Sequence, residues 1–129
     1  MPGVERILAL DVLGDSSLIP LGHQLSVNGV PLRLVIVCIG LLHDDTRAPE
    51  ERLEQVSRIG LEHAFGVNAY GPVLVAQALA GAVPRDQPCQ FASVSARVGS
   101  ITDNRGGGWY GYRASKAAQN QLLTCPALE

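Results

Sequence analysis

Leu32-Arg33-Leu34-Val35-Ile36-Val37-Cys38-Ile39 is the stretch that decides the fold of this 129-residue chain. Apart from Arg33 it is apolar, and it shows no alternation of period two. A strand with one wet face alternates, whereas a run apolar on both sides suits the centre of a parallel sheet covered by helices on both faces. Upstream, Asn28-Gly29 signals a turn. Before it, Leu18, Leu21 and Leu25 line one face of a helix that Asp15 and Ser16 can cap. Ile7–Asp11 (ILALD) reads as a second buried strand, ending in an acid.

Downstream, Ala48-Pro49-Glu50-Glu51 has the features of a helix start, with proline in the first turn and acids at the positive end of the dipole. Leu53, Val56 and Ile59 would form its apolar stripe. A further helix is expected from about Leu61 to Ala80, with Leu61, Phe65 and Asn68 on one face that continues towards Pro72, Val75 and Leu79. Pro84 to Pro88 is a polar connection and Gln90–Ser95 a strand. Gly99 to Gly111 is irregular and rich in glycine, and a last helix spans roughly Tyr112 to Leu123. Strands alternating with helices predict an α/β fold with a parallel sheet and right-handed crossovers. The chain begins almost directly with a buried strand and stops close behind an apolar helix, so both ends are expected to be cut.

Composition narrows the function. With 47% hydrophobic and 17% charged residues, the chain has the make-up of a folded protein. A formal net charge of -2 gives no electrostatic attraction to nucleic acid or to an anionic membrane. The longest apolar run, Leu34–Leu42, has nine residues, against about 20 for a membrane helix. The N-terminus lacks the pattern of a secretory signal, so a cytoplasmic location is expected. Cys38, Cys89 and Cys125 are too widely spaced to imply a disulfide framework or a zinc site. No metal is expected, and Cys38 and Cys89 read as buried thiols.

Tyr112-Arg113-Ala114-Ser115-Lys116 carries the strongest chemical signal. Residues four apart on a helix share a face. A lysine cation beside a phenol favours the phenolate, so the pair can exchange a proton with a carbonyl oxygen or an alcohol. The same pair also occurs in helices with no catalytic role. Asn68 is a polar amide inside an apolar helix, four residues before Pro72, which has no N–H to offer the Asn68 carbonyl. That carbonyl could hold an ordered water near a reaction site, or the kink could serve packing alone. Ser93, Ser95 and Ser100 flank the end of the last strand, where ligands of parallel sheets collect, and they read equally as loop or cap residues. Gly106-Gly107-Gly108-Trp109-Tyr110 could line a substrate pocket or anchor the loop. No G-x-G-x-x-G or Walker-type loop occurs. His23, His43 and His63 lie far upstream with no distinctive nucleophile context, which leaves Ser-His-Asp hydrolysis without support.

Together these motifs resemble the short-chain dehydrogenase/reductase family, in its carbonyl-reductase-like, C-factor-related branch. The similarity is carried by Ser95-Ala96-Arg97-Val98-Gly99-Ser100-Ile101, Asp103-Asn104-Arg105 and Gly107-Gly108-Trp109-Tyr110-Gly111-Tyr112-Arg113-Ala114-Ser115-Lys116-Ala117-Ala118. Phe65-Gly66-Val67-Asn68-Ala69-Tyr70-Gly71-Pro72 supports it in the right order. The resemblance covers nearly all of residues 1–129 as one partial NAD(P)-binding domain. It implies a partial Rossmann-like doubly wound parallel sheet, truncated at both ends.

It further implies an NAD(P)-dependent oxidoreductase acting on a small-molecule carbonyl or alcohol. Tyr112 would be the general acid/base. Lys116 would assist it and hold the nicotinamide ribose, and Asn68 would fix a proton-relaying water. Ser95 is the candidate for the family serine. Asp11 and Val12 match the end of the family's third strand, where the acid contacts adenine, and Gly40 matches the last residue of the Asn-Asn-Ala-Gly motif. NADP and NAD both remain open.

The chain departs from the pattern in three places. The glycine-rich pyrophosphate turn is absent, Val37-Cys38-Ile39 replaces Asn-Asn-Ala, and Ala96 stands at the position of the family serine, beside Ser95. These departures raise a second expectation: an inactive fragment that associates with itself or with an intact homologue.

Overall fold

The computed structural model describes residues 7–26 and 31–128, so the expected turn at Asn28-Gly29 lies outside the described residues. Strands β1 (Leu34–Val37) and β2 (Gln90–Ser93) form a parallel pair. Leu34 sits opposite Gln90 and Val37 opposite Ser93. The ladder is extended at both ends by Gln90 N–H donating to Arg33 O and Val94 N–H to Val37 O, each at 2.9 Å. The parallel α/β arrangement is the one expected.

Four helices accompany the strands among the described residues: α1 (Asp15–Ser26), α2 (Arg58–Phe65), α3 (Gly71–Ala80) and α4 (Tyr110–Thr124). Leu18 of α1, Val37 of β1, and Val75 and Leu79 of α3 form the buried core, with Leu21, Leu25, Val35 and Leu74 packed around it. Each such side chain removed from water contributes on the order of 2 kcal/mol.

The expectation of helices on both sheet faces is corrected. Leu34 and Ile36 are 54% and 58% exposed. The helices α1 and α3 cover the Val35/Val37 side, while α4 packs on α2 and the turns around it. Cys38 continues the exposed face of Leu34 and Ile36, and it is exposed too. Cys89 is half-buried and Cys125 exposed, so the expectation of buried thiols at Cys38 and Cys89 is also corrected.

Ile7–Asp11 is not a strand. A strand exists by its ladder, and neither β1 nor β2 pairs with this segment. In the doubly wound order 3-2-1-4-5-6 the third strand pairs with the second, away from the fourth. Instead, Asp11 begins a turn into α1. The Ser17 hydroxyl accepts from Asp11 N–H at 3.0 Å and donates to Asp11 O at 2.6 Å. Ser17, not Asp15 or Ser16, therefore ties down the helix entrance. The same α1 crosses α3 closely at Gly22, where a Cβ would run into the Ala78 carbonyl.

The helix expected at Pro49 starts instead at Arg58. The Ser57 hydroxyl caps it by accepting from Gly60 N–H at 3.1 Å. Before it, Leu53–Gln55 makes one 3-10 turn, and Gln55 Oε1 takes the N–H groups of Glu51 and Arg52. Glu50 is held elsewhere, its carbonyl by Trp109 N–H and its carboxylate by Gly111 N–H. Leu53 and Ile59 are consequently exposed and form no core stripe.

The long helix that follows is continuous as expected but changes pitch. Gly66–Tyr70 is a π-turn, in which Gly71 N–H donates to Gly66 O five residues back. Proline at 72 removes the next donor and favours this looser turn. Gly66 and Gly71 lie where a Cβ would meet Leu13 Cδ2 at 2.7 Å and Ile39 Cδ1 at 2.8 Å, which brings the 11–13 turn and the end of β1 against the π-turn.

Gly22→Ala should lower the unfolding free energy in urea by about 1–3 kcal/mol, because the added methyl forces α1 and α3 apart.

Candidate active site

The C-terminal ends of the two parallel strands converge on α4. The chain after β1 passes through Gly40 and Leu41, and the chain after β2 through Val94. Both meet side chains presented by the π-turn and by α4. On α4 those side chains are Tyr112, Ser115, Lys116 and Gln119, the stripe that helical spacing places on one face. Ser115, Lys116 and Gln119 are buried.

Asn68 is fully buried and joins these segments. Its Oδ1 accepts Leu41 N–H at 2.7 Å, and its Nδ2 donates to Leu41 O at 2.8 Å and to Ser115 Oγ at 2.9 Å. The Ser115 hydroxyl in turn donates to Tyr112 O at 2.9 Å. The side-chain amide thus pairs with Leu41 as a strand residue would, locking the loop after β1 to the turn of α4 that carries Tyr112.

Lys116 is 2% exposed, and its ammonium donates to Val94 O at 3.1 Å and Gln119 Oε1 at 2.9 Å. Burial pulls its pKa below the ordinary 10.5. Nζ stands 5.8 Å from the centroid of the Tyr112 ring. Trp109 packs edge-on against the same ring at 6.4 Å. Gly40 faces the pair, since a Cβ there would sit 3.5 Å from Lys116 Nζ and 3.9 Å from Asn68 Oδ1.

A small recess of about 80 Å³ adjoins Tyr112, lined among others by Leu41, Leu42, His43, Arg47, Glu50 and His63. Arg47 donates to His63 Nδ1 at 2.7 Å and pairs with Asp44 at 3.2 Å. The Thr46 hydroxyl and N–H, with Arg47 beside them, hold the Asp44 carboxyl down at about 2.

Tyr112, Lys116, Asn68 and Gly40 are thus brought together. Val12 is half-buried against Gly71. Asp11 is exposed, and its Oδ1 accepts from Leu13 N–H at 2.9 Å. Ser95 stands apart from Tyr112: its hydroxyl donates to Asn120 Oδ1 at 2.6 Å, two turns further along α4. Ala96, at the start of the 3-10 turn Arg97–Gly99, has no hydroxyl to offer. Ser93 accepts from Gln119, and Ser100 accepts from Asp103 N–H.

The 106–110 segment does border a cavity, of about 270 Å³, but with Arg113, Ala114 and Ala117 as its helical wall. That is the face of α4 opposite Tyr112 and Lys116. Gly107, Gly108 and Trp109 take left-handed φ values of 63°, 65° and 52° on the way into α4, a conformation strained for tryptophan. Ser115 and Gln119 were missed by sequence reasoning. The signal that finds them is the run of polar residues at 112, 115, 116 and 119 on one helical face. Among the described residues no group of His, Cys, Asp and Glu is placed to hold a metal, and no helix is long and apolar enough to cross a membrane.

The chain matches no model of a known protein family. It is 29% identical to a 1-hydroxy-2-glutathionyl-2-methyl-3-butene dehydrogenase of Rhodococcus sp. (strain AD45), over 93% of this chain and 50% of that protein. It is 37% identical to the C-signal protein of Myxococcus xanthus, over 55% of this chain and 43% of that one. A solved short-chain dehydrogenase/reductase of Burkholderia multivorans with bound NADP superposes at a TM-score of 0.81 and 33% identity, covering 95% of this chain and 50% of the other. The chain thus spans about half the length of the relatives it matches.

Asn68→Ala should cost about 2–4 kcal/mol, since it strands buried partners, and should speed hydrogen exchange at the Leu41 amide. The Lys116 shift also has a sign. Between its lowered folded pKa and 10.5 the unfolded chain holds more proton, so stability rises with pH through that window, by at most about 1.4 kcal/mol per pH unit. Denaturation series in Lys116→Met should lack that rise.

Proposed function

We propose that this chain is of the short-chain dehydrogenase/reductase kind and carries the proton-transfer half of an oxidoreductase that uses NADP or NAD on a small carbonyl or alcohol. The observation that carries this reading is the stacking of a nearly inaccessible lysine cation over the Tyr112 ring at the C-terminal ends of two parallel strands. Such strand ends are where doubly wound sheets bind ligands.

The residues present fit the nicotinamide end of the cofactor. Gly40 leaves open the space over Lys116 Nζ that any Cβ would fill, and Lys116 has one N–H beyond its two acceptors for a ribose hydroxyl. Val12 and Asp11 would flank the adenine side. When bound, the nicotinamide supplies or accepts the hydride.

The chain's own residues manage the proton. Tyr112 gives it from the hydroxyl to a carbonyl oxygen as charge builds there, or takes it from an alcohol. The Lys116 cation stabilises the negative charge left on the phenol. Asn68 and Ser115 keep the Tyr112 turn fixed relative to Leu41. No hydroxyl takes the family serine's position at Ala96, and Ser95 would have to leave Asn120 to serve there. The free thiols fit a cytoplasmic protein.

A second reading has its own support. Ile59 and Tyr70, on the outer side of the α2–α3 helix, are 70% and 51% exposed. That surface would bind a second copy or an intact homologue, with the chain inactive.

Reduced-nicotinamide fluorescence and the melting temperature should both rise as NADPH is added. Tyr112→Phe should keep that binding and lose carbonyl reduction by at least about 100-fold. No binding by a chain that melts cooperatively, with complex formation on size exclusion, would favour the second reading.

A further inference from the structure

Lys116 is the sole lysine in the chain. It is buried with no carboxylate bonded to it, and two neutral acceptors, Val94 O and Gln119 Oε1, receive its ammonium. Gln119 is itself fully buried. Its Nε2 donates to Ser93 Oγ at 2.7 Å and to Val94 O at 3.2 Å. This fixes which way the amide faces. If the amide flipped, its NH2 would meet the ammonium and its oxygen would meet the Val94 carbonyl, and neither contact is a hydrogen bond. The end of β2 therefore orients Gln119, and Gln119 orients Lys116.

We propose that Gln119 is a positioning residue that holds the Lys116 ammonium beneath Gly40 and beside Tyr112, so that one N–H stays free for a ligand hydroxyl. Its use in catalysis rests on the oxidoreductase reading, whereas the coupling itself does not. The groups placed against the Lys116 side chain are Tyr112 and Gln119 on its own helix, Gly40 after β1, Val94 after β2, and Gly99 of the following turn, with Asn68 of the π-turn facing the same point at Gly40. Of these only Tyr112 carries an ionisable group. With an apolar side chain at 119, the buried ammonium keeps one acceptor and its charged form is disfavoured further.

A single lysine makes the test free of overlap. Chain labelled with lysine carrying 13C at Cε gives one ammonium-reporting resonance, and its shift is followed against pH without any cofactor. The wild type should titrate below 10.5. Gln119→Leu should move the midpoint down by about one pH unit, and Gln119→Glu should move it up by about as much. Ser93→Ala, which leaves both lysine contacts in place, should shift it down by less, and with Gln119→Glu it carries the test if Gln119→Leu does not fold. A midpoint unchanged across the folded variants overturns the proposal. Failure of the wild type to bind NADPH would count against the oxidoreductase reading while leaving this titration unaffected.

Discussion

The amide of Asn68 is the constraint on which the site depends. It lies in a helix, yet it completes a strand-like pair with Leu41 and spends its last donor on Ser115. Three segments far apart in sequence thereby share one buried group. Its hydrogen bonds each contribute about 1 kcal/mol net, but leaving such a group unpaired inside the fold costs more. The arrangement is therefore close to all-or-none: either the loop after β1, the π-turn and α4 are all in place, or the network fails as a unit.

Glycine lets this network close. Gly66 and Gly71 admit Leu13, Val12 and Ile39 to the π-turn, Gly99 admits the turn after β2 to the backbone of Lys116, and Gly111 admits Ala64 and Glu50. At these points the missing side chain matters through distance rather than through backbone freedom. Among the described glycines only Gly107 and Gly108 use the left-handed region, and there Trp109 follows them into it.

The sequence was most readable where a feature is local. Helical spacing was enough to join Tyr112 to Lys116 and to mark Asn68 as out of place, and an apolar run without alternation was enough to find β1. It was least readable where an outcome depends on a distant partner. Ile7–Asp11 has the composition of a strand, but a ladder is a property of two segments. Pro49-Glu50-Glu51 has the features of a helix start, but the polar groups of Glu50 are taken by Trp109 and Gly111. Ser95 stands where a hydroxyl was wanted, one residue from the useful position, and its neighbour Asn120 claims it. Ser115 and Gln119 resemble ordinary solvated helix residues until the packing of α4 on the strand ends turns that face inward.

The π-turn has a geometrical consequence of its own. One surplus residue in a helix advances everything after it by about 100°. The rod from Arg58 to Ala80 is thus two gears on one axle, set out of phase. The first meshes with α4 and the second with α1 and the core around Val75 and Leu79. The phase between them is set by a single residue's worth of rotation, which turns one stretch of the rod chiefly towards the reacting groups and the next chiefly towards the hydrophobic centre.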